Sequence, residues 1–145
     1  MENMKDIIRE YFEEKHEVAA VYLYGSHLVG KNVPGSDVDI AVFIAKPLKK
    51  GMNSFKARTL LERDLSRLLR KDVDVVFLHE IGEALLLEVL KKGEVVYEKD
   101  AISHHTFKAS RLARCLDFRF YQERMQKGMV QAIRRESIGQ YNRRS

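Results

Sequence analysis

A Gly25-Ser26 pair is followed, after ten intervening residues, by Asp37-Val38-Asp39, and a second aspartate pair, Asp72 and Asp74, recurs in a later apolar run. In an extended strand, side chains two apart share a face. Asp37 and Asp39 would then project together with Cα atoms about 6.7 Å apart, within reach of one ion pair. Divalent ions held by such carboxylates activate an attacking oxygen and stabilise a leaving one in phosphoryl-type transfer. All-oxygen hard donors of this kind favour Mg²⁺. Unless exposed or bound to a cation, the two charges repel and the pair is costly. An isolated Asp-x-Asp is weak evidence, and the preceding Gly-Ser adds to it. Gly25 at a strand end permits close backbone approach, and Ser26 offers a hydroxyl and backbone N–H groups to phosphate oxygens. Alternation cannot separate Asp72 from Asp74, which lie on one face. Asp72 follows Arg70-Lys71 and has a ready solvated role. Asp74 stands between valines, where an unpaired charge is expensive, so Asp74 is the expected third carboxylate, as metal ligand or general base.

The elements that must position these residues are legible from periodicity. Ile7, Ile8, Tyr11 and Phe12 predict an amphipathic helix over 6–15. The run VAAVYLY, residues 18–24, predicts a strand stopped by Gly25, and 27–35 is polar with one short helical turn expected. A second strand is expected over 37–44. A helix from Asn53 or Ser54 to about Arg70 follows, then a strand over 72–78, a helix over 81–92 ended by Gly93, and a short edge strand over 95–97. Strands and helices interleave, which predicts an α/β or α+β sheet packed by helices.

The longest helical candidate runs from about His105 to Met129, and its apolar residues form two groups. Ala109, Leu112, Ala113, Leu116 and Phe120 fall on one side; Phe107, Phe118, Tyr121, Met125 and Met129 fall on the other. Two apolar faces need two coverings. One is the domain itself, and Phe107, Phe118, Tyr121 and Met125 suit a partner chain. Cys115 in the same stretch is expected to be a small buried residue. His104-His105 has no spaced partner pair in the sequence, so zinc is not expected there.

The 145 residues are 45% hydrophobic and 32% charged, with 2 Pro and 8 Gly, which excludes disorder and fibrous repeats and fits one domain of ordinary size. We divide it into a core over about 5–100, a helical partner-binding segment over about 102–130 and a basic tail over 131–145. Residues 101–145 hold ten Lys or Arg against three Asp or Glu, so the net charge of +5 resides in the C-terminal third. No apolar stretch is long enough to span a bilayer and the N-terminus is charged, so a cytoplasmic protein without membrane contact is expected. Basic residues without interleaved stacking aromatics make direct nucleic-acid binding an unfavoured reading.

The run GSHLVGKNVPGSDVD resembles the GSx10DxD signature of the polymerase-β-like nucleotidyltransferase superfamily, with Asp74 similar to its third carboxylate. Chain length, element order and the ending SRLARCLDFRFYQERMQKG are similar to the minimal nucleotidyltransferases, the MNT antitoxins paired with HEPN-domain toxins, over about residues 5–125. The resemblance implies a nucleotidyltransferase fold with a small mixed sheet and a long C-terminal helix. It implies the antitoxin of a type VII system, a protein adenylyltransferase that moves AMP from Mg²⁺-ATP to a tyrosine hydroxyl of a HEPN ribonuclease toxin. Carried over, Asp37, Asp39 and Asp74 hold metal and perform catalysis, and Gly25 and Ser26 hold the triphosphate. Val29 stands where many relatives have Arg, and Lys31 is the expected substitute. The alternatives are a binding-only antitoxin with a remnant site, or a nucleotidyltransferase acting on a small molecule such as an aminoglycoside.

Overall fold

The computed structural model describes residues 3–25 and 37–114. The chain divides into a compact unit, Met1–Lys108, and a second unit, Ala109–Ser145. The first unit contains α1 (Met4–Glu13), β1 (Val18–Tyr24), β2 (Val38–Ile44), α2 (Ser54–Leu69), β3 (Val73–Phe77), α3 (Glu83–Lys92) and β4 (Glu94–Glu98). A further helix, α4, starts at residue 101 and is helical through 114; residues 109–114 are what is described of the second unit. The helical turn expected within 27–35, Cys115 and the helix expected beyond 114 lie outside the described residues.

Local chemistry explains most boundaries. Asn3 caps α1, its side chain accepting from the Asp6 N–H at 2.9 Å, so the helix starts two residues before the expected Asp6. Asn53 caps α2 in the same way through the Lys56 N–H at 2.8 Å. α4 begins four residues before the expected His105, because Asp100 accepts from both the backbone N–H of Ser103, at 3.0 Å, and its hydroxyl, at 2.8 Å. These two bonds hold the Asp100 carboxyl below its ordinary pKa.

The sheet order is β3-β2-β1-β4. β1 pairs antiparallel with both β2 and β4, whereas the crossover through α2 makes β3 parallel to β2, so the sheet is mixed. One face carries Val21, Leu23, Ile40, Val42, Val75 and Phe77 and forms the core with Ile8 and Phe12 of α1 and Ala57, Leu61 and Leu65 of α2. The other face holds Tyr22 and Phe43, also buried. Tyr22 lies against the α3–β4 junction, where a Cβ on Gly93 would stand 3.2 Å from its ring. Phe107 of α4 stacks on Phe43 with ring centroids 4.5 Å apart.

This topology fixes where chemistry can occur. An antiparallel partner begins where its neighbour ends, and a parallel partner begins beside it. The end of β1, the start of β2 and the start of β3 therefore meet at one end of the sheet. Leu65, fully buried between α2 and the sheet, holds that geometry from below. We expect Leu65→Ala to lower unfolding free energy by about 2–5 kcal/mol, read from a chemical denaturation midpoint.

Candidate active site

Asp39 in β2 is in register with Tyr24 of β1 on one side and Asp74 of β3 on the other. Residues in register share a face, so Tyr24, Asp39 and Asp74 form one row across three strands. The adjacent row on that face is apolar, Tyr22-Ala41-Val76, with Tyr22 and Ala41 buried. The face thus changes from packed core to acidic site within two residues along each strand. Asp37 stands exposed one residue before β2. The Val38 N–H donates to the Asp72 carbonyl at 2.8 Å, which ties the entrances of β2 and β3 together.

Gly25 closes the row from below. Its φ of +84° lies in the left-handed region that favours glycine, and a Cβ there would stand 2.3 Å from the Asp39 Oδ2. The Asp39 carboxylate therefore rests against the Gly25 backbone. Ser26, Val29 and Lys31, the other expected phosphate-side positions, lie outside the described residues.

The expectation that Asp74 is surrounded by apolar side chains is corrected: Asp74 is exposed. Val73 and Val75 are buried, but strand alternation sends them to the opposite face, so their burial does not extend to Asp74. Asp72 is exposed as well, just ahead of β3. Register with Asp39, rather than burial, distinguishes Asp74 from Asp72.

Tyr24 is a member of the row to which sequence reasoning gave no role. Burial, and then the charges of Asp39, Asp74 and Glu88, push its phenol up to about 12 from the ordinary 10.0. The hydroxyl therefore stays protonated and can donate toward oxygen ligands at neutral pH. The signal in the sequence was its place two residues after Tyr22, on the same strand face. Glu88 comes from α3 and carries no motif. Phe107, expected on a partner-facing side, is half-buried against Phe43 and lies 5.1 Å from the His79 ring, keeping part of its surface exposed. Phe118, Tyr121 and Met125 lie outside the described residues.

Asp39 and Asp74 in register, with Asp37 two residues before Asp39 and Asp39 pressed on a glycine backbone, offer oxygen-only donors of the kind that suit a hard divalent cation such as Mg²⁺. The negative charge of Asp39 and Asp74, to which Tyr24 responds, would otherwise oppose any phosphate ligand. A cavity of about 100 Å³ lined by residues such as Val18, Ile44 and Phe77 lies at the other end of the strands. Among the described residues no helix is long and apolar enough to cross a membrane.

The sequence profile described as Polymerase beta, Nucleotidyltransferase matches residues 6–102. No curated protein sequence matches the chain. Solved structures do. A chain of a toxin–antitoxin complex with AMP-PNP is 21% identical at a TM-score of 0.64, over 89% of this chain and 97% of that one. A chain of a toxin–antitoxin complex named MntA-HepT is 19% identical at 0.58, over 90% and 96%. A chain from the tri-AMPylated Shewanella oneidensis HEPN toxin in complex with MNT antitoxin is 19% identical at 0.59, over 90% and 95%. These likenesses establish a shared fold.

Two outcomes follow from the geometry. Gly25→Ala should displace the Asp39 carboxylate, because both φ and the 2.3 Å approach forbid a Cβ. Nucleotide-dependent activity should then be lost while far-ultraviolet circular dichroism is retained. For Tyr24 the folded pKa lies above the unfolded one, so its contribution to stability is complete below about pH 10 and is lost as pH rises toward 12. Denaturation midpoints measured across that window should fall less steeply for Tyr24→Phe than for the native chain.

Proposed function

The chain belongs to the polymerase beta nucleotidyltransferase family, and from that premise we propose that it is an MNT antitoxin that transfers AMP from Mg²⁺-ATP to a tyrosine hydroxyl of a HEPN-domain toxin. The observation that carries this reading is the in-register pair Asp39 and Asp74, with Gly25 pressed against Asp39 and Asp37 beside them. The fold shared with chains of toxin–antitoxin complexes, one with AMP-PNP and one with a tri-AMPylated HEPN toxin, supports the choice of nucleotide and acceptor.

Asp37, Asp39 and Asp74 would hold Mg²⁺. When bound, the cation supplies charge neutralisation and polarisation of the phosphate oxygens. The remaining work falls to the chain's own groups. Gly25 holds Asp39 in one orientation and leaves room for phosphate beside the backbone, and Ser26 and Lys31 are proposed to contact the triphosphate. The Tyr24 hydroxyl, kept protonated, borders the same row. Asp74, being exposed, can face an acceptor presented by a second protein. As the tyrosine oxygen bonds to the α-phosphorus, its proton passes to the Asp74 carboxylate. The bond from the α-phosphorus to the bridging oxygen breaks, and pyrophosphate leaves with that electron pair.

An acceptor carried on another protein suits the exposed position of Asp74 at the end of the sheet. We assign the contact with the toxin to Phe118, Tyr121 and Met125 by their helical spacing, and to the exposed part of Phe107. The exposed end of the acidic row is where the toxin's tyrosine would arrive.

Intact mass spectrometry of the protein encoded next to this one, incubated with this chain, Mg²⁺ and ATP, tests the reading. We expect a mass gain of one or more AMP units. The gain should vanish with the double variant Asp37→Ala, Asp39→Ala, and should slow on the order of 10²-fold or more with Asp74→Asn. A stable complex without any mass gain would replace transfer by neutralisation through binding alone.

A further inference from the structure

At the end of β4, away from the acidic row, a second group of ligating side chains converges. His104 is buried, at 2% exposure. Both of its ring nitrogens are engaged: Nε2 with the Tyr22 hydroxyl and Nδ1 with the Glu98 carboxylate. Nδ1–H donating to Glu98 and the Tyr22 O–H donating to Nε2 satisfy every group. The neighbouring His105 is 70% exposed, and its Nε2 stands 3.8 Å from the same Glu98 Oε2. That separation is too long for a hydrogen bond. One carboxylate oxygen thus faces two imidazole nitrogens, and the three ligating atoms lie within 4.8 Å of one another.

We propose that Glu98, His104 and His105 form a binding site for a borderline divalent ion of the Zn²⁺ class, separate from the aspartate row. The donor set, two imidazole nitrogens and one carboxylate, suits zinc and leaves a fourth position for water. It differs from the oxygen-only aspartates, which suit Mg²⁺. Ligand atoms on a tetrahedral zinc with bonds near 2.0 Å stand about 3.3 Å apart. The His105 nitrogen is already near that distance from Glu98. The His104 contact has to open, which the partly exposed Glu98 side chain can accommodate by turning.

The orienting group is in place. With the ion on Nδ1, the His104 proton resides on Nε2, and the Tyr22 hydroxyl turns to accept it. This is the hydrogen bond that fixes tautomer and ring direction in histidine metal ligation. Exposed His105 gives the ion a route from solvent. Such an ion would clip the end of β4 to the first turns of α4, across residues 99–100, and so stabilise the start of the C-terminal helix.

Isothermal titration of the full chain with Zn²⁺ alone, in a non-chelating buffer, tests this. Zinc at one equivalent should bind, with affinity falling at least 10-fold in His105→Ala and in Glu98→Gln and unchanged in Asp37→Ala, Asp39→Ala. Cobalt(II) should give a tetrahedral visible absorption that His105→Ala abolishes. His105 is exposed, so its replacement leaves the fold intact. Absence of binding, or binding that survives both His105→Ala and Glu98→Gln, would overturn the proposal. Loss of binding in the aspartate variant instead would assign the ion to the acidic row and overturn it equally.

Discussion

Paired strands stand about 4.8 Å apart, and the parallel register of β2 and β3 places Asp39 beside Asp74 at that spacing. Like charges in register on one face repel, and the arrangement holds because the opposite face of the same strands is committed to the core. Val38, Ile40, Val42, Val73, Val75 and Phe77 all pack there with α1 and α2. Slipping the register by one residue to separate the carboxylates would turn these side chains out of the core. The apolar face thus enforces the electrostatic conflict on the other face, and a cation is the natural means of relieving it.

The same logic accounts for Gly25. A strand end carrying any side chain would push the Asp39 carboxylate away by contact. Glycine lets the chain turn with φ positive and lets the carboxylate rest on the backbone. Tyr24 reports the resulting charge density, its phenol pushed up to about 12 by burial and by Asp39, Asp74 and Glu88. Sheet pairing, a glycine turn and a titration shift are three consequences of one convergence of strand ends.

The second face is built differently along its length. Toward the acidic end it opens to solvent; toward the other it closes under α3 and α4, with Tyr22, His104 and Phe43 packed beneath Phe107 and the α3–β4 junction. The Tyr22–His104–Glu98 arrangement binds the first turn of α4 to β1 and β4. A buried polar network of this kind stabilises only when each member is satisfied. Here the histidine supplies both a donor and an acceptor, which a purely apolar contact would not need.

The strands and helices were legible from sequence to within a few residues, because hydrophobic alternation and caps such as Asn53 are local properties. Gly25, Asp37 and Asp39 stood out by the spacing from one strand end to the next strand, and Asp74 by its place in a later apolar run. The reason for preferring Asp74 was not legible. Burial of its valine neighbours indicated an apolar setting, whereas it is exposed and selected by register across β2, a pairing that the crossover through α2 sets. Tyr24 and Glu88 entered the site without a motif, and His104-His105 looked unsupported because its third member, Glu98, belongs to a strand and not to the helix. Sequence by itself determined which residues carry charge and which face of each element they occupy, since alternation and helical period act over a few residues. Tertiary structure decided which of those faces meet, because strand register and helix docking are fixed by a core assembled from residues far apart in the chain.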